Sequence, residues 1–332
     1  MNFYNLKKLW KSEIYQGGNK KTNYFEGWYF KIVDKIGINT FSIIPSISFG
    51  ETSKDSKTSI QILDGKNSNS YNFDFKVEDF YFSKNIFEIK IGENYFSQNK
   101  LSININNNNH HLKAELSFNG LVPWPVTILS PGAMGWYAFL PFMECFHGVI
   151  SLTHKIEGFL EIDGVKIDFT GGKGYIEKDY GSSFPKSWIW MQCNHFKDKD
   201  TSLMCSIANI PFIKGSFTGF ICGLYFRGSL FKFATYTGAK LVNMDITGNE
   251  VSISLRNKTQ ELLVQGKIKE TGKLLSPKNG VMNGEVLESL TGEVTIKLYE
   301  TVGKIKTLIY EDYGVNSGME IMWDCIQPQK IN

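Results

Sequence analysis

Arginine is almost missing from this sequence of 332 residues: only Arg227 and Arg256 occur among its 36 basic residues. Arginine supplies the bidentate clamps that recognise phosphate, and the formal net charge is only +3. We therefore expect no nucleic-acid partner. No apolar stretch approaches the roughly 18 residues that a spanning helix needs. Residues 1–23 carry five lysines but no apolar core, so we expect neither a signal peptide nor a membrane span there.

Paired cysteines and the common catalytic motifs are also missing. The five cysteines form no C-x-x-C pair: Cys145, Cys193, Cys205, Cys222 and Cys325. An odd, unpaired set predicts free thiols, a reducing compartment and a cytoplasmic protein. The sequence contains no G-x-S-x-G, H-E-x-x-H, P-loop or Rossmann fingerprint. We expect no cofactor and no metal.

The sequence is instead dominated by residues that alternate between apolar and polar, a period typical of half-buried strands. Clear examples are Tyr71–Val77, Leu101–Ile105, Val165–Phe169 and Val251–Leu255. Glycine-containing pairs between such runs predict hairpin turns. These pairs are Asp64-Gly65, Asn119-Gly120, Asp163-Gly164 and Thr247-Gly248-Asn249.

The pattern predicts an all-β protein, since no amphipathic helix of three turns is evident. So many antiparallel strands must close or stack to protect their edges. The length suits two cores rather than one. We therefore predict two lipocalin-like antiparallel barrels packed together, residues 1–175 and 176–332. The aromatic content of 14% suits sheets and also suits the walls of an apolar cavity.

One region interrupts the strands. Four of the nine prolines fall between Pro123 and Pro141, and proline is disfavoured inside sheets. We predict an ordered, irregular crossing segment with a short helical turn. Because the segment is apolar, it either covers a cavity or packs against the end of a barrel.

Three passages stand out as motifs over roughly residues 25–196. The first is FEGWYFK at Phe25–Lys31, followed by SIQIL at Ser59–Leu63. The second comprises LSPGA at Leu129–Ala133 and PFMECFHGVI at Pro141–Ile150, ending at His154. The third, at Gly174–Phe196, fits the pattern Glu-Lys-(Asp/Asn)-(Trp/Tyr)-Gly…Phe-Pro…Trp-x-Trp-x-Gln-x-Asn. Together these passages resemble the tocopherol cyclase family, and the third looks like that family's signature.

This resemblance implies a two-barrel lipocalin-like fold and a cofactor-independent isomerase. The implied reaction protonates a prenyl double bond, after which a phenol oxygen adds to close a chromanol ring. Asp179-Tyr180 stands where Asn-Trp is common in plant members, which weakens any exact transfer of substrate.

Glu177 and Asp179 would share one face of a strand, with Lys178 and Tyr180 on the other. Two carboxyl groups beside an apolar cavity raise one another's pKa and can keep one neutral. A neutral carboxylic acid is what alkene protonation needs. The alternative is a solvated edge strand or a structural ion pair through Lys178.

Aromatic and amide side chains also alternate in the third motif. Trp188, Trp190, Gln192 and Asn194 would line an apolar slot with a polar end, and indole faces can stabilise a carbocation. Core tryptophans are the alternative. Glu26 and Trp28 would share a face of the first motif strand. Glu26 could be buried there with a shifted pKa, or it could emerge at the end of the strand. The same two alternatives apply to Gln61.

His147 could act as a proton acceptor for a phenol, with its own partner unidentified. Glu144 and His147 form a Glu-x-x-His spacing, but a metal site of that type needs a second copy on long helices. On a strand, His147 and His154 would have opposite parity and could not share a ligand. A structural histidine is the alternative.

We therefore expect a tocopherol cyclase-like cyclase acting on a hydrophobic small molecule, a prenylated phenol or a related terpenoid. The expected catalytic residues are Asp179 or Glu177 as acid and His147 as base. The expected substrate-binding residues are Glu26, Trp28, Gln61, Glu144, Lys178, Tyr180, Trp188, Trp190, Gln192 and Asn194. The alternatives are a non-catalytic lipid carrier and a hydratase of an isolated double bond. A cytoplasmic protein could collect such a substrate by peripheral contact with a membrane.

Overall fold

The fold consists almost wholly of antiparallel strands. A computed structural model describes residues 8–107, 109–140, 143–212 and 215–323. Within these ranges there are 22 strands and four short 3-10 helices, at Ser53–Asp55, Val77–Asp79, Gly135–Phe139 and Thr235–Thr237. No helix in the described ranges has the length and apolarity to cross a bilayer. The predicted all-β class is confirmed.

The first sheet contains the first twelve strands. They are β1 (Tyr24–Val33), β2 (Thr40–Phe49), β3 (Lys57–Asp64), β4 (Asn69–Phe75), β5 (Phe80–Phe82), β6 (Glu88–Ile91), β7 (Asn94–Ser97), β8 (Lys100–Asn106), β9 (His111–Asn119), β10 (Cys145–Ile162), β11 (Val165–Asp168) and β12 (Gly172–Gly181). Their order is β4-β3-β2-β1-β12-β10-β9-β8-β7-β6-β5, with β11 paired to β10.

The second sheet contains the remaining ten strands. They are β13 (Trp188–Cys193), β14 (Ser202–Phe212), β15 (Gly215–Phe226), β16 (Ser229–Ala234), β17 (Lys240–Thr247), β18 (Glu250–Arg256), β19 (Gln260–Lys267), β20 (Gly272–Lys278), β21 (Val281–Val302) and β22 (Ile305–Met322). Their order is β16-β15-β14-β13-β22-β21-β19-β18-β17, with β20 paired to β21.

Each sheet curls around its own apolar core, as the alternating sequence predicts. In β8, for example, Leu101, Ile103 and Ile105 point inward while their neighbours face outward. The first core includes Trp28, Phe30 and Ile176, and a separate core fills the second sheet. These two units are the predicted lipocalin-like barrels packed together. The change of sheet falls between Gly181 and Trp188, a few residues after the boundary predicted at 175.

Some strands are buried on both faces, and these form the contact between the two barrels. β1 is buried at nine of its ten positions, because one face enters the first core and the other meets the second barrel. Tyr29, Tyr175 and Trp190 belong to an apolar cluster at this contact. Strands covered on both sides lose the clean alternation of half-buried strands.

Three of the four predicted hairpin turns are confirmed. In the turn between β10 and β11, Asp163 and Gly164 have φ of 50° and 83°, the values a two-residue type I′ hairpin requires. The prediction at Asn119-Gly120 is wrong, because β9 ends there and its partner β10 begins only at Cys145. The intervening prolines cannot donate to a ladder, so the chain crosses irregularly.

This crossing segment, residues 120–144, contains the predicted short helical turn at Gly135–Phe139. Pro141 and Phe142, part of the second family-like passage, lie outside the described residues. The predicted free thiols are confirmed for Cys145, Cys193, Cys205 and Cys222. Cys325 lies outside the described residues.

Candidate active site between the two barrels

A cavity of about 190 Å³ lies at the contact between the barrels rather than inside either of them. Its walls are mainly apolar and come from both sheets and from the crossing segment. The first sheet contributes Phe25, Gly27, Tyr29, Ile44, Ser46, Gln61, Cys145, His147, Glu177 and Asp179; the second contributes Trp188, Trp190, Ala208, Phe220, Leu274, Val286, Glu288 and Glu320; the crossing segment contributes Met134, Tyr137, Met143 and Glu144.

The alternation of β12 decides which side chains reach this cavity. Glu177 and Asp179 both line it, as the predicted shared face requires. Ile176 belongs to the first core on the opposite face. The neighbouring strand β10 pairs with β12 so that His147 lies opposite Asp179. Register therefore brings one imidazole and two carboxyl groups together.

Glu177 is the more enclosed of the two predicted acids, with 4% of its surface exposed, whereas Asp179 is only half-buried. Three donors surround its Oε2 atom: the Tyr175 hydroxyl donates a hydrogen bond, Trp190 Nε1 donates at 3.1 Å, and His147 Nε2 lies 3.5 Å away. Burial raises the pKa of Glu177 to about 7; His147 opposes this rise and Asp179 adds to it. Glu177 can therefore exchange a proton near neutral pH.

His147 connects the two carboxyl groups. Its Nδ1 lies 2.9 Å from Asp179 Oδ1, and Cys145 Sγ lies 3.9 Å from the same oxygen. Burial alone would lower the pKa of His147, but the carboxylates of Glu177 and Asp179 outweigh it and raise this pKa to about 9. At neutral pH the His147 ring is therefore positively charged, with hydrogen on both nitrogens, and it faces the carboxyl oxygens of Glu177 and Asp179.

His154 differs from His147 in every respect that matters for chemistry. Its Nδ1 lies 3.0 Å from Ser151 Oγ, and its ring packs against Phe118. Burial lowers the pKa of His154 to about 3, so this ring is neutral. A Cβ at Gly174 would lie 2.1 Å from His154 Nε2, so glycine is required there. His154 is a packed core residue.

Two further carboxyl groups, which sequence reasoning missed, enter the cavity from the second barrel. Glu288 on β21 accepts a hydrogen bond from the Tyr29 hydroxyl, and Trp188 Nε1 donates to Glu320 Oε2 at 2.5 Å. Burial raises the pKa of Glu288 to about 8, although Tyr29 and Lys31 oppose it. Burial also raises the pKa of Glu320 well above its usual range, and Glu288 adds to this. Burial thus favours the protonated form of both carboxyl groups.

The signal for Glu288 was present in the sequence but weak. Glu288 shares the buried face of β21 with Val286 and Leu290, so a carboxyl group interrupts an apolar alternation. Glu320 is the register partner of Trp190 across β13 and β22. Neither strand pairing can be read from the sequence alone.

Four predicted substrate-binding residues lie away from the cavity, inside the first barrel: Glu26, Trp28, Lys178 and Tyr180. Successive residues of a strand point to opposite faces, and these four positions lie on the faces of β1 and β12 that enter the first core. Lys178 Nζ lies 2.5 Å from Glu26 Oε1, and both side chains are fully buried. Substrate contact at these four positions has no support in the geometry.

These inward residues fasten an N-terminal segment across the barrel. The Glu26 carboxylate accepts the backbone N–H groups of Gln16 and Gly17 at 2.8 and 2.9 Å. Trp28 Nε1 donates to the Glu13 carbonyl at 2.9 Å. Lys178 donates to the Ile14 carbonyl, and its Nζ lies 4.9 Å from the Trp28 ring. The FEGW and EKD passages thus also carry a structural role.

The predicted amides hold the barrels together. Gln192 Oε1 accepts from Lys31 Nζ at 2.8 Å, and Asn194 Nδ2 donates to the Gly174 carbonyl at 2.9 Å; neither residue lines the cavity. Gln61 does line it, while its amide exchanges hydrogen bonds with the backbone of Leu275. Trp188, Trp190 and the exposed Glu144 line the cavity as expected.

The imidazole and carboxyl cluster also has the composition of a cation site. One ligand atom each of His147, Glu177 and Asp179 lies within 4.8 Å of the others. Two of these groups are already joined by the hydrogen bond between His147 Nδ1 and Asp179 Oδ1. The prediction of a metal-free site stays a prediction.

The fold and the cavity define a class of protein: a double β-barrel with carboxyl groups of raised pKa in an apolar cavity between the barrels. The tocopherol cyclase-like family model matches residues 94–322, well over half of the chain. The chain belongs to the tocopherol cyclase-like family, as its motifs indicated.

Individual relatives are more distant. The chain is 28% identical over 155 residues to a probable chloroplastic tocopherol cyclase of Oryza sativa subsp. japonica. This matched stretch covers 45% of this chain and 33% of that protein. It is 27% identical over 145 residues to the chloroplastic tocopherol cyclase of Zea mays, covering 42% of this chain and 30% of that protein. The matched stretch is thus about a third of these relatives' length.

A solved structure supports the architecture across both barrels. The crystal structure of CghA with Sch210972 is similar with a TM-score of 0.57, covering 90% of this chain and 88% of that one. The sequence identity is 7%, so this likeness concerns the fold alone.

Proposed function

We propose that this protein is a tocopherol cyclase-like isomerase that closes a ring on a prenylated aromatic or a related terpenoid. The observation that carries this proposal is Glu177, a buried carboxyl group in an apolar cavity whose pKa of about 7 lets it hold a transferable proton. Protonation of an unactivated alkene requires a neutral acid of this kind, shielded from water.

The proposed step starts with protonated Glu177. Its proton passes to one alkene carbon, and the positive charge develops on the more substituted carbon. A phenol oxygen then forms the C–O bond and releases its own proton, which restores the acid on Glu177. Atoms balance without any addition, so the product has the mass of the substrate and the step needs no cofactor.

The surrounding residues support that proton transfer. Tyr175, Trp190 and protonated His147 all approach Glu177 Oε2, so they stabilise the carboxylate that forms as the proton leaves. Asp179 holds His147 Nδ1 and so orients the ring towards Glu177. Asp179 is the second candidate for the acid, and His147 serves as the base only after it loses its proton. The faces of Trp188 and Trp190 can stabilise the developing carbocation.

A hydratase is the alternative that shares this acid, with water in place of the phenol oxygen as nucleophile. A carrier that only holds a lipid would use the same apolar walls, but five carboxyl groups line this cavity. Burying carboxyl groups beside apolar walls is costly, which favours a chemical role for them. The substrate class, the isomerase activity, a cytoplasmic location and contact with a membrane are all parts of this proposal.

Product mass tests the proposal. The purified protein is extracted with organic solvent to identify bound molecules, then incubated with prenylated phenols. We expect an isomer of unchanged mass that has lost its free phenol; a gain of one water would identify a hydratase instead. Glu177→Gln should lower turnover by about 10²- to 10⁴-fold, and Asp179→Asn should weaken it less. Glu157→Gln, an exposed position on β10, is the control. An empty protein that converts none of these phenols contradicts the cyclase proposal.

A further inference from the structure

Large apolar side chains are exposed together on the crossing segment. Ile128 and Leu129 are 81% and 79% exposed, and Trp136 and Phe139 are 47% and 40% exposed. Single exposed apolar residues are ordinary, whereas a contiguous group of them marks an interaction surface.

Hydrogen bonds and a ring contact join these residues into one surface. Thr127 and Ser130 exchange backbone hydrogen bonds of 2.9 and 3.2 Å, so Ile128 and Leu129 form the tip of a closed turn. Trp10 Nε1 donates to the Thr127 carbonyl at 3.0 Å, and the Trp10 ring centroid lies 5.5 Å from that of Phe139. The aliphatic tip is thus flanked by aromatic rings, the arrangement found at the interface between lipid and water.

Lysines lie beside this apolar surface. Exposed Lys11 follows Trp10, and its Nζ donates to the Asn85 carbonyl at 3.0 Å. That contact brings the neighbouring loop alongside, with exposed Lys84 and with Ile86, which is 58% exposed. Apolar tips with adjacent cations complement a bilayer that carries anionic headgroups.

The same segment reaches the cavity on its inner side. Met134 and Tyr137 line the cavity, while Trp136, next to Tyr137, is exposed on the outer side. A molecule that leaves a bilayer at this surface therefore meets a segment that also forms the cavity wall.

We propose that the docking surface formed by Ile128, Leu129, Trp136 and Phe139 of the crossing segment, with Trp10, Lys11 and residues 84–86, binds the protein to a bilayer with anionic headgroups. Collection of substrate through this surface rests on the proposed function; the binding itself does not.

Flotation with vesicles of phosphatidylcholine and phosphatidylglycerol tests the docking surface. The wild-type protein should float with the vesicles. The double variant Ile128→Asp/Leu129→Asp should bind at least about tenfold more weakly, because it loses the two aliphatic side chains that would enter the bilayer. The matched control is Val302→Asp/Ile305→Asp at the tip of the β21–β22 hairpin, where the two side chains are 70% and 69% exposed beside Lys304 and Lys306. This control should bind as the wild type does.

Three results would overturn the proposal. The first is a wild type that does not float, and the second is loss of binding only in the hairpin control. The third is a wild type that self-associates in sedimentation and separates on Ile128→Asp/Leu129→Asp, which would assign the surface to a second copy of the chain. Circular dichroism on each variant establishes that the fold is retained.

Charge is tested separately. Lys11→Gln/Lys84→Gln should weaken binding to the anionic vesicles but not to vesicles of phosphatidylcholine alone, and added salt should have the same effect. Equal binding of wild type and variant to both kinds of vesicle would contradict the anionic preference.

Turnover distinguishes this inference from the proposed function. Ile128→Asp/Leu129→Asp should keep its activity on substrate dissolved in detergent and lose it on substrate embedded in vesicles. A protein that binds vesicles through this surface but converts no prenylated phenol supports the docking surface and contradicts the cyclase.

Discussion

Glu177 and Lys178 are neighbours on β12, yet they belong to two different polar environments. Lys178 faces the interior of the first barrel, where it is paired with Glu26 and bonded to the Ile14 carbonyl. Glu177 faces the cavity, where three donors crowd one carboxylate oxygen. A buried charge with a full set of partners is structural, whereas a carboxyl group with a raised pKa beside a cavity has the properties of a reactive group.

Glu177→Gln should have the largest effect on the cavity side of this comparison. Loss of the transferable proton should lower turnover by about 10²- to 10⁴-fold. The melting temperature should change little, because the amide keeps the shape and can still accept hydrogen bonds. Turnover and thermal unfolding are measured on the same preparation. Wild-type turnover in this variant would remove Glu177 from the mechanism.

Lys178→Met should have the opposite profile. Its removal leaves the buried Glu26 without a counter-charge, although the Gln16 and Gly17 N–H groups still donate to it. We expect this to cost about 3–5 kcal/mol of unfolding free energy. Denaturant titration measures that loss. At temperatures where the variant remains folded, the turnover per folded molecule should stay within a few-fold of the wild type. A stable but inactive variant would contradict the structural assignment.

The pH dependence of turnover should follow protonation of Glu177. The acid form is active, and its pKa is about 7, so turnover should be constant at low pH and fall about tenfold per unit above pH 7. Tyr175→Phe removes a donor that lowers this pKa, so the fall should move to higher pH. Initial rates across pH 5–9, with circular dichroism at each pH, measure both profiles. An unchanged profile in Tyr175→Phe would argue that another group titrates.

Stability should also fall as pH rises. The folded pKa values of Glu177, Glu288 and His147 are about 7, 8 and 9, each above its ordinary value. The folded protein therefore binds protons more tightly than the unfolded chain, and this stabilisation is lost as pH rises through those values. Denaturant titrations at pH 5, 7 and 9 should give progressively lower unfolding free energies. Glu288→Gln should make the decline shallower, and Glu285→Gln, an exposed position on the same strand, should not.

The smallest expected effect is a loss of stability from a change at Trp28, inside the first barrel. Trp28→Phe keeps a ring in the first core but removes the hydrogen bond to the Glu13 carbonyl, worth about 1 kcal/mol, together with some packing. Turnover should be unaffected. A change in substrate affinity would indicate instead that Trp28 contacts the substrate.

Alternation predicted which residues of the motif strands share a face, but not which face meets the substrate. Glu177 and Asp179 do share one, as do Glu26 and Trp28. Both faces of β1 and β12 are buried, however, so polarity gave no clue to which one was the cavity side. Glu288 and Glu320 were missed because they join the site only through the pairing of distant strands, which is set by tertiary packing.

The hydrogen bond from Tyr29 to Glu288 closes a loop of 259 residues. Contacts between such distant parts of the chain carry a large entropic cost before they form, so they are made late in folding. We therefore expect Tyr29 and Glu288 to meet after most of the strands have paired, so that a nascent chain would hold a nearly complete first barrel before the cavity between the barrels exists.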